Sequence, residues 1–135
     1  MKIVDNFSES QIKQVFELYS HAWWAKDRSF EQTVECINGS QVCIGVVDSN
    51  GKVIGFARAI TDFIFKAMIF DVIVCPNHRN KGLGNKVMRS IQRHDKLKNV
   101  RHFELYCLPD MEAYYSNLGF KTDVGGIRLL RKING

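Results

Sequence analysis

Arg79, Gly82 and Gly84 stand together just after an apolar run that ends in proline, and just before a helical stripe of apolar residues. That setting suits the binding of a phosphate. A helix N-terminus presents unpaired N–H groups and the positive end of the helix dipole to an anion. Glycine at 82 and 84 removes a Cβ, so a ligand can approach the main chain closely, and Arg79 adds a charged fork beside it. The spacing excludes two other phosphate turns. No Gly-Lys-Ser/Thr follows, as a P-loop requires, and a dinucleotide fingerprint would place glycine at 87, where the chain has Val87. A G-x-G alone also serves simple helix packing, so the surrounding elements decide its meaning.

Other residues with chemical potential are scattered. Asp71 interrupts the otherwise apolar run 67–75, where an ionised group is costly unless paired. Two readings stand: a base with a raised pKa, or an acceptor for neighbouring donors. Glu104 is the next carboxylate on a strand-like segment. His21, His78, His94 and His102 have no metal-ligand spacing with one another or with cysteine, so no metal is expected. Cys36, Cys43, Cys75 and Cys107 form no C-x-x-C pair and read as reduced core residues of a cytoplasmic protein.

The elements that must position these residues follow from periodicity. Residues 2–5 form a short strand candidate. Ser8 with Gln11, and Ser29 with Gln32, have the spacing of capping boxes. The first opens a helix with Ile12, Val15, Phe16 and Tyr19 at helical spacing, and the second opens a short helix that stops near Gly39. Trp23 and Trp24 lie between them. Residues 42–48 and 53–61 read as a hairpin around Asn50-Gly51, and 67–75 as a strand covered on both faces and ended by Pro76. Leu83, Val87, Met88 and Ile91 mark the buried stripe of the next helix, with Lys86, Arg89 and Arg93 on its other face. A strand over 102–107, a short helix over 110–118 and two last strands over 120–122 and 127–132 complete the order. This is an α/β (α+β) fold with a mixed sheet.

The chain has 135 residues, 45% of them hydrophobic, which suits one domain over 1–135 with an adequate core. No apolar run approaches the roughly 18 residues that a membrane span needs, and the start carries no secretory pattern. A net charge of +5 fits a nucleic-acid binder or a protein that holds a small polyanion. No RNP-like or helix-turn-helix pattern is present, so nucleic acid is not the expected partner.

The segment Val74-Cys75-Pro76-Asn77-His78-Arg79-Asn80-Lys81-Gly82-Leu83-Gly84 resembles the signature of the GNAT acetyltransferase superfamily, Arg/Gln-x-x-Gly-x-Gly/Ala after a strand ending in Val-x-Pro. Tyr115-Ser116-Asn117-Leu118-Gly119-Phe120 is similar to the same family's later motif, a Tyr four residues before Gly-Phe. The resemblance implies a mixed, mostly antiparallel sheet of six to seven strands flanked by about four helices. It implies transfer of the acetyl group of acetyl-CoA to a primary amine, small-molecule or protein, by direct attack in a ternary complex; a weakly catalytic acyl-CoA sensor is the alternative. Val72, Ile73 and Val74 would meet the pantetheine arm, and Arg79, Asn80, Lys81, Gly82, Leu83 and Gly84 the pyrophosphate. Tyr115 would be the general acid, with Asp71 the candidate base. Trp23 and Trp24 would wall the acceptor pocket. A homodimer is compatible with the resemblance. One departure is that Leu108-Pro109-Asp110-Met111 lacks the Asn that many members carry after the penultimate strand.

Overall fold

The computed structural model describes residues 1–135. Strand β1 (Lys2–Val4) is followed by helices α1 (Glu9–Tyr19) and α2 (Phe30–Asn38), then β2 (Val42–Val47), β3 (Val53–Thr61) and β4 (Lys66–Val74). A 3-10 turn at Pro76–His78 leads to α3 (Leu83–Arg93), then β5 (His102–Leu105), a second 3-10 turn (Pro109–Met111) and α4 (Glu112–Ser116). Both expected capping boxes are present. Gln11 N–H donates to Ser8 Oγ at 3.2 Å and Ser8 N–H to Gln11 Oε1 at 2.9 Å. The Ser29–Gln32 pair repeats this at 3.0 and 2.9 Å.

The sheet runs in sequence order, β1-β2-β3-β4-β5. The first four strands pair antiparallel, and β5 pairs parallel to β4. A parallel neighbour needs a crossover connection, and α3 supplies it, so its N-terminus lies just beyond the C-terminal end of β4. Strand β3 is built for a helix on each face. Gly55, Ala57 and Ala59 are small and alternate with Phe56 and Arg58. A Cβ at Gly55 would come within 3.1 Å of Val87 on α3, so the helix packs close to the strand there. On the opposite face Phe56 meets Tyr19 of α1 edge-to-face at 6.2 Å. A core cluster of 25 buried residues joins both faces of the sheet to its helices.

The mixed α/β architecture and four helices match expectation, but the sheet has five strands rather than six or seven. Residues 120–122 and 127–132 form no strand. Ile127, Leu130 and Ile133 are 72%, 90% and 83% exposed, so the tail's apolar side chains are not packed. Strand propensity has no effect without a partner edge, and β5 pairs over only four residues. The helix expected over 110–118 is also shorter, a 3-10 turn followed by the five-residue α4.

Ser29→Ala removes the oxygen that caps α2 and should lower stability by about 1 kcal/mol. A urea titration is expected to show an earlier midpoint at unchanged slope.

Candidate functional site

The site forms where β4 ends, β5 diverges and α3 begins. Pairing between β4 and β5 stops at Ile69↔Leu105, while β4 continues to Val74, so residues 70–74 have no strand partner on that edge. On its other edge, β4 carries a bulge. Phe56 pairs with Ile73 and Arg58 with Phe70, so Ala57 alone lies opposite both Asp71 and Val72. Asp71 takes the extra position at φ 59°. Bulges re-aim side chains, and Asp tolerates left-handed backbone better than most residues.

The re-aimed Asp71 carboxylate enters a buried polar cluster. Oδ2 accepts from Arg28 Nη1 at 2.6 Å, from Arg58 Nε at 2.7 Å and from the Tyr19 hydroxyl at 2.9 Å. Arg28 also reaches Oδ1 at 3.3 Å. Burial pushes the Asp71 pKa up, but the hydrogen bonds and charges of Arg28 and Arg58 outweigh it and hold the carboxyl below its usual range. Tyr19 moves upward, first by burial and then by the Asp71 charge, so it stays a phenol. The geometry therefore matches the acceptor reading of Asp71, not that of a base with a raised pKa. Arg28 extends outward, with its guanidinium 4.8 Å from the Tyr19 ring and 5.4 Å from that of Trp24. Trp24 is 40% and Trp23 69% exposed.

At the start of α3 the main chain passes through two left-handed residues. Asn80 and Gly82 have φ of 64° and 76°, and Gly82 is an N-cap without a capping side chain. The first helical bond runs from Lys86 N–H to Gly82 O at 3.1 Å, which leaves the N–H groups of Leu83, Gly84 and Asn85 without helical acceptors. Beside them runs a groove of about 520 Å³ lined by Gly82, Asn85, Lys86, Arg89, Ser90 and Arg93, none of them apolar.

The two glycines differ in their reasons. A Cβ at Gly82 would meet nothing within 4 Å, so the left-handed backbone is what requires glycine there. At Gly84 a Cβ would lie 2.6 Å from the Tyr114 hydroxyl, so the space is filled by a side chain of the protein itself. Tyr114 donates to Asn85 Oδ1 at 3.0 Å. Tyr115 is half-buried against Phe120 and Tyr114, at ring distances of 6.1 and 5.0 Å. Burial, and then Tyr114 and Cys107, push its phenol up to about 12, which keeps it protonated at neutral pH.

Arg28, Arg58 and Asn85 were not among the residues singled out from the sequence, and Tyr19 was read only as part of the helical stripe of α1. Arg58 had a signal: it breaks an apolar strand on the neighbour of the strand that Asp71 breaks. Arg28 had none, because a loop residue carries no periodicity. All four cysteines are free; Cys43 and Cys75 are buried, but Cys107 is exposed and outside the core.

Asp71→Asn leaves two arginines facing a neutral amide and should lower stability by about 3 kcal/mol. Because the folded pKa of Asp71 is depressed, its contribution is present above about pH 4, near the unfolded value. It is lost as pH falls through the lower folded value. Urea unfolding at a series of pH values should therefore show a steeper acid loss for the natural protein than for the Asn variant.

The chain matches the model of the acetyltransferase (GNAT) family over residues 7–120. It is 30% identical over 115 residues to the uncharacterized N-acetyltransferase ycf52 of Pyropia yezoensis, covering 83% of this chain and 66% of that protein. It is 38% identical over 80 residues to serotonin N-acetyltransferase 2, chloroplastic, of Oryza sativa subsp. japonica, covering 59% of this chain and 40% of the relative. The chain thus spans about two thirds or less of the length of these two relatives. Its fold superimposes on the crystal structure of a GNAT-family protein from Xanthomonas campestris pv. campestris with a TM-score of 0.81 and 28% identity, over 99% of this chain and 94% of the other. The sheet with its crossover helix, the open edge of β4 and the glycine turn agree with that match: this chain belongs to the GNAT acetyltransferase family.

Proposed function

We propose that this protein transfers the acetyl group of acetyl-CoA to a primary amine by direct attack within a ternary complex. The observation that carries the reading is the set of unpaired amides at Leu83, Gly84 and Asn85 beside a groove of cationic and polar side chains. A diphosphate fits both features, by hydrogen bonds to the helix N-terminus and by charge from Arg79, Lys86, Arg89 and Arg93. Asn80, Lys81 and Gly82 shape the turn. The unpaired edge of β4 offers main-chain groups at Val72, Ile73 and Val74 to an extended amide-bearing arm, in the manner of an added strand.

In the reaction the neutral amine nitrogen attacks the thioester carbonyl carbon, a C–N bond forms and the C–S bond breaks. We assign Tyr115 the transfer of its phenolic proton to the departing thiolate. A thiol of pKa about 8.5 is a stronger acid than the buried Tyr115 phenol, so this proton moves in step with thiolate departure rather than ahead of it. Asp71 already accepts from two arginines and a tyrosine, so we give it the role of fixing Arg28 and Arg58, and assign the ammonium proton to water. Trp23 and Trp24, with Arg28 lying over the rings of both Trp24 and Tyr19, form the wall we assign to the acceptor.

A more specific reading of the acceptor as an arylalkylamine is favoured by that exposed aromatic wall, and by Tyr106, 50% exposed and packed on Phe70 at 5.8 Å. The name of the rice relative points the same way. No helix is long and apolar enough to cross a membrane. The cytoplasmic setting expected from the cysteines belongs to this proposal.

Calorimetry with acetyl-CoA, followed by thiol release with arylalkylamines, polyamines and peptides, tests the reading. Absence of coenzyme binding by the folded protein would refute it. Tyr115→Phe should lower kcat by about a hundredfold with little change in acetyl-CoA affinity. Gly82→Val forces a β-branched residue into left-handed backbone, at about 1–2 kcal/mol, and should weaken acetyl-CoA binding by roughly tenfold or more while the protein still folds.

A further inference from the structure

We propose that the Tyr114 hydroxyl is a positioning device that ties the helix carrying Tyr115 to the first turn of α3, and that position 84 is glycine to make room for it. The inference rests on the function proposed above. The family signature accepts Gly or Ala at this place, yet here a Cβ would lie 2.6 Å from the Tyr114 hydroxyl oxygen and 3.6 Å from Cζ. The first distance is a clash and the second is ordinary contact. The conflict therefore lies with the hydroxyl alone, and a phenylalanine at 114 would accept alanine at 84.

The hydroxyl is held, not merely accommodated. It donates to Asn85 Oδ1 at 3.0 Å, across 29 residues of sequence. Asn85 also lines the cationic groove. With its Oδ1 taken, Nδ2 is the end left to donate to an anion. The Tyr114 ring packs edge-to-face on Tyr115 at 5.0 Å, and Tyr115 packs on Phe120 at 6.1 Å.

Helix α4 needs such a tie. It has five residues and no capping side chain, and a single turn is unstable by itself. Beyond Phe120, which returns a hydrogen bond to Tyr115 O at 3.1 Å, residues 121–135 form no strand, so no later strand anchors it. The contact Tyr114–Asn85–Gly84 links α4 directly to the turn assigned to the diphosphate. Through that link the distance between the bound coenzyme and the Tyr115 phenol is set, and small misplacements of a catalytic group reduce turnover strongly.

The test compares the natural protein with Tyr114→Phe, Gly84→Ala and the double variant. Each is measured by steady-state kinetics with acetyl-CoA and the best amine of the panel, and by thermal unfolding. Tyr114→Phe should lower kcat by roughly three- to tenfold with less than about a twofold change in the KM for acetyl-CoA. Gly84→Ala should lower kcat at least as far. Adding Tyr114→Phe to Gly84→Ala should recover activity to the level of Tyr114→Phe alone, and the two changes should be coupled in the unfolding temperature in the same sense. Full activity of Gly84→Ala, or strictly additive losses in the double variant, would overturn the proposal. If the natural protein fails to bind acetyl-CoA, the assigned function fails; coupling of the two changes in thermal unfolding still reports on the contact itself.

Discussion

Asp71 sits at φ 59° in the bulge of β4, where one residue too many has been fitted against β3. A carboxylate in that position would be costly if left alone in the sheet. Arg58 from β3, Arg28 from the loop after α1 and Tyr19 from α1 converge on it instead. The cluster fixes three separate pieces of chain around one charge. It holds the left-handed backbone of the bulge, anchors the loop that carries the tryptophans, and leaves a net positive charge of two arginines against one aspartate. The edge of β4 facing β5 opens at the same place, since strand pairing ends at Ile69, two residues before Asp71.

The sheet thus has two chemically distinct sides. The face toward α1 and α2 carries the charged and aromatic cluster. The face toward α3 is pared down to Gly55, Ala57 and Ala59, which lets the helix pack closely and brings its N-terminus to the end of β4. The gap between β4 and β5 opens onto both, with the N-terminus of α3 at the end of β4 and the arginine cluster at the bulge. The arrangement follows the rule that open α/β sheets bind ligands beyond the carboxyl ends of their strands.

The glycine turn shows how one residue type serves distinct purposes a few ångströms apart. Gly82 permits a backbone angle, and Gly84 leaves room for the hydroxyl of Tyr114. Both were read from the sequence as room for a ligand, which is a local argument. The second reason depends on α4, thirty residues later in the chain, and only the packed structure brings the two together. The cationic side chains of Lys86, Arg89 and Arg93 add a strip of charge along the same helix, beside its free main-chain amides.

Local chemistry determined much of this protein. The capping boxes at Ser8 and Ser29, the hairpin at Asn50-Gly51 and the apolar stripe of α3 are set by nearest neighbours and by periodicities that a linear reading detects, whereas β4, expected to be covered on both faces, is fully buried only at Ala67, Ile69 and Ile73. The glycine turn was legible for the same reason, because its parts are contiguous. The failures share a cause as well. Whether residues 127–132 become a strand depends on an edge to pair with, and the partners of Asp71 come from positions 19, 28 and 58. Those are contacts across the fold, decided by which faces pack together, and spacing along the chain carries no record of them.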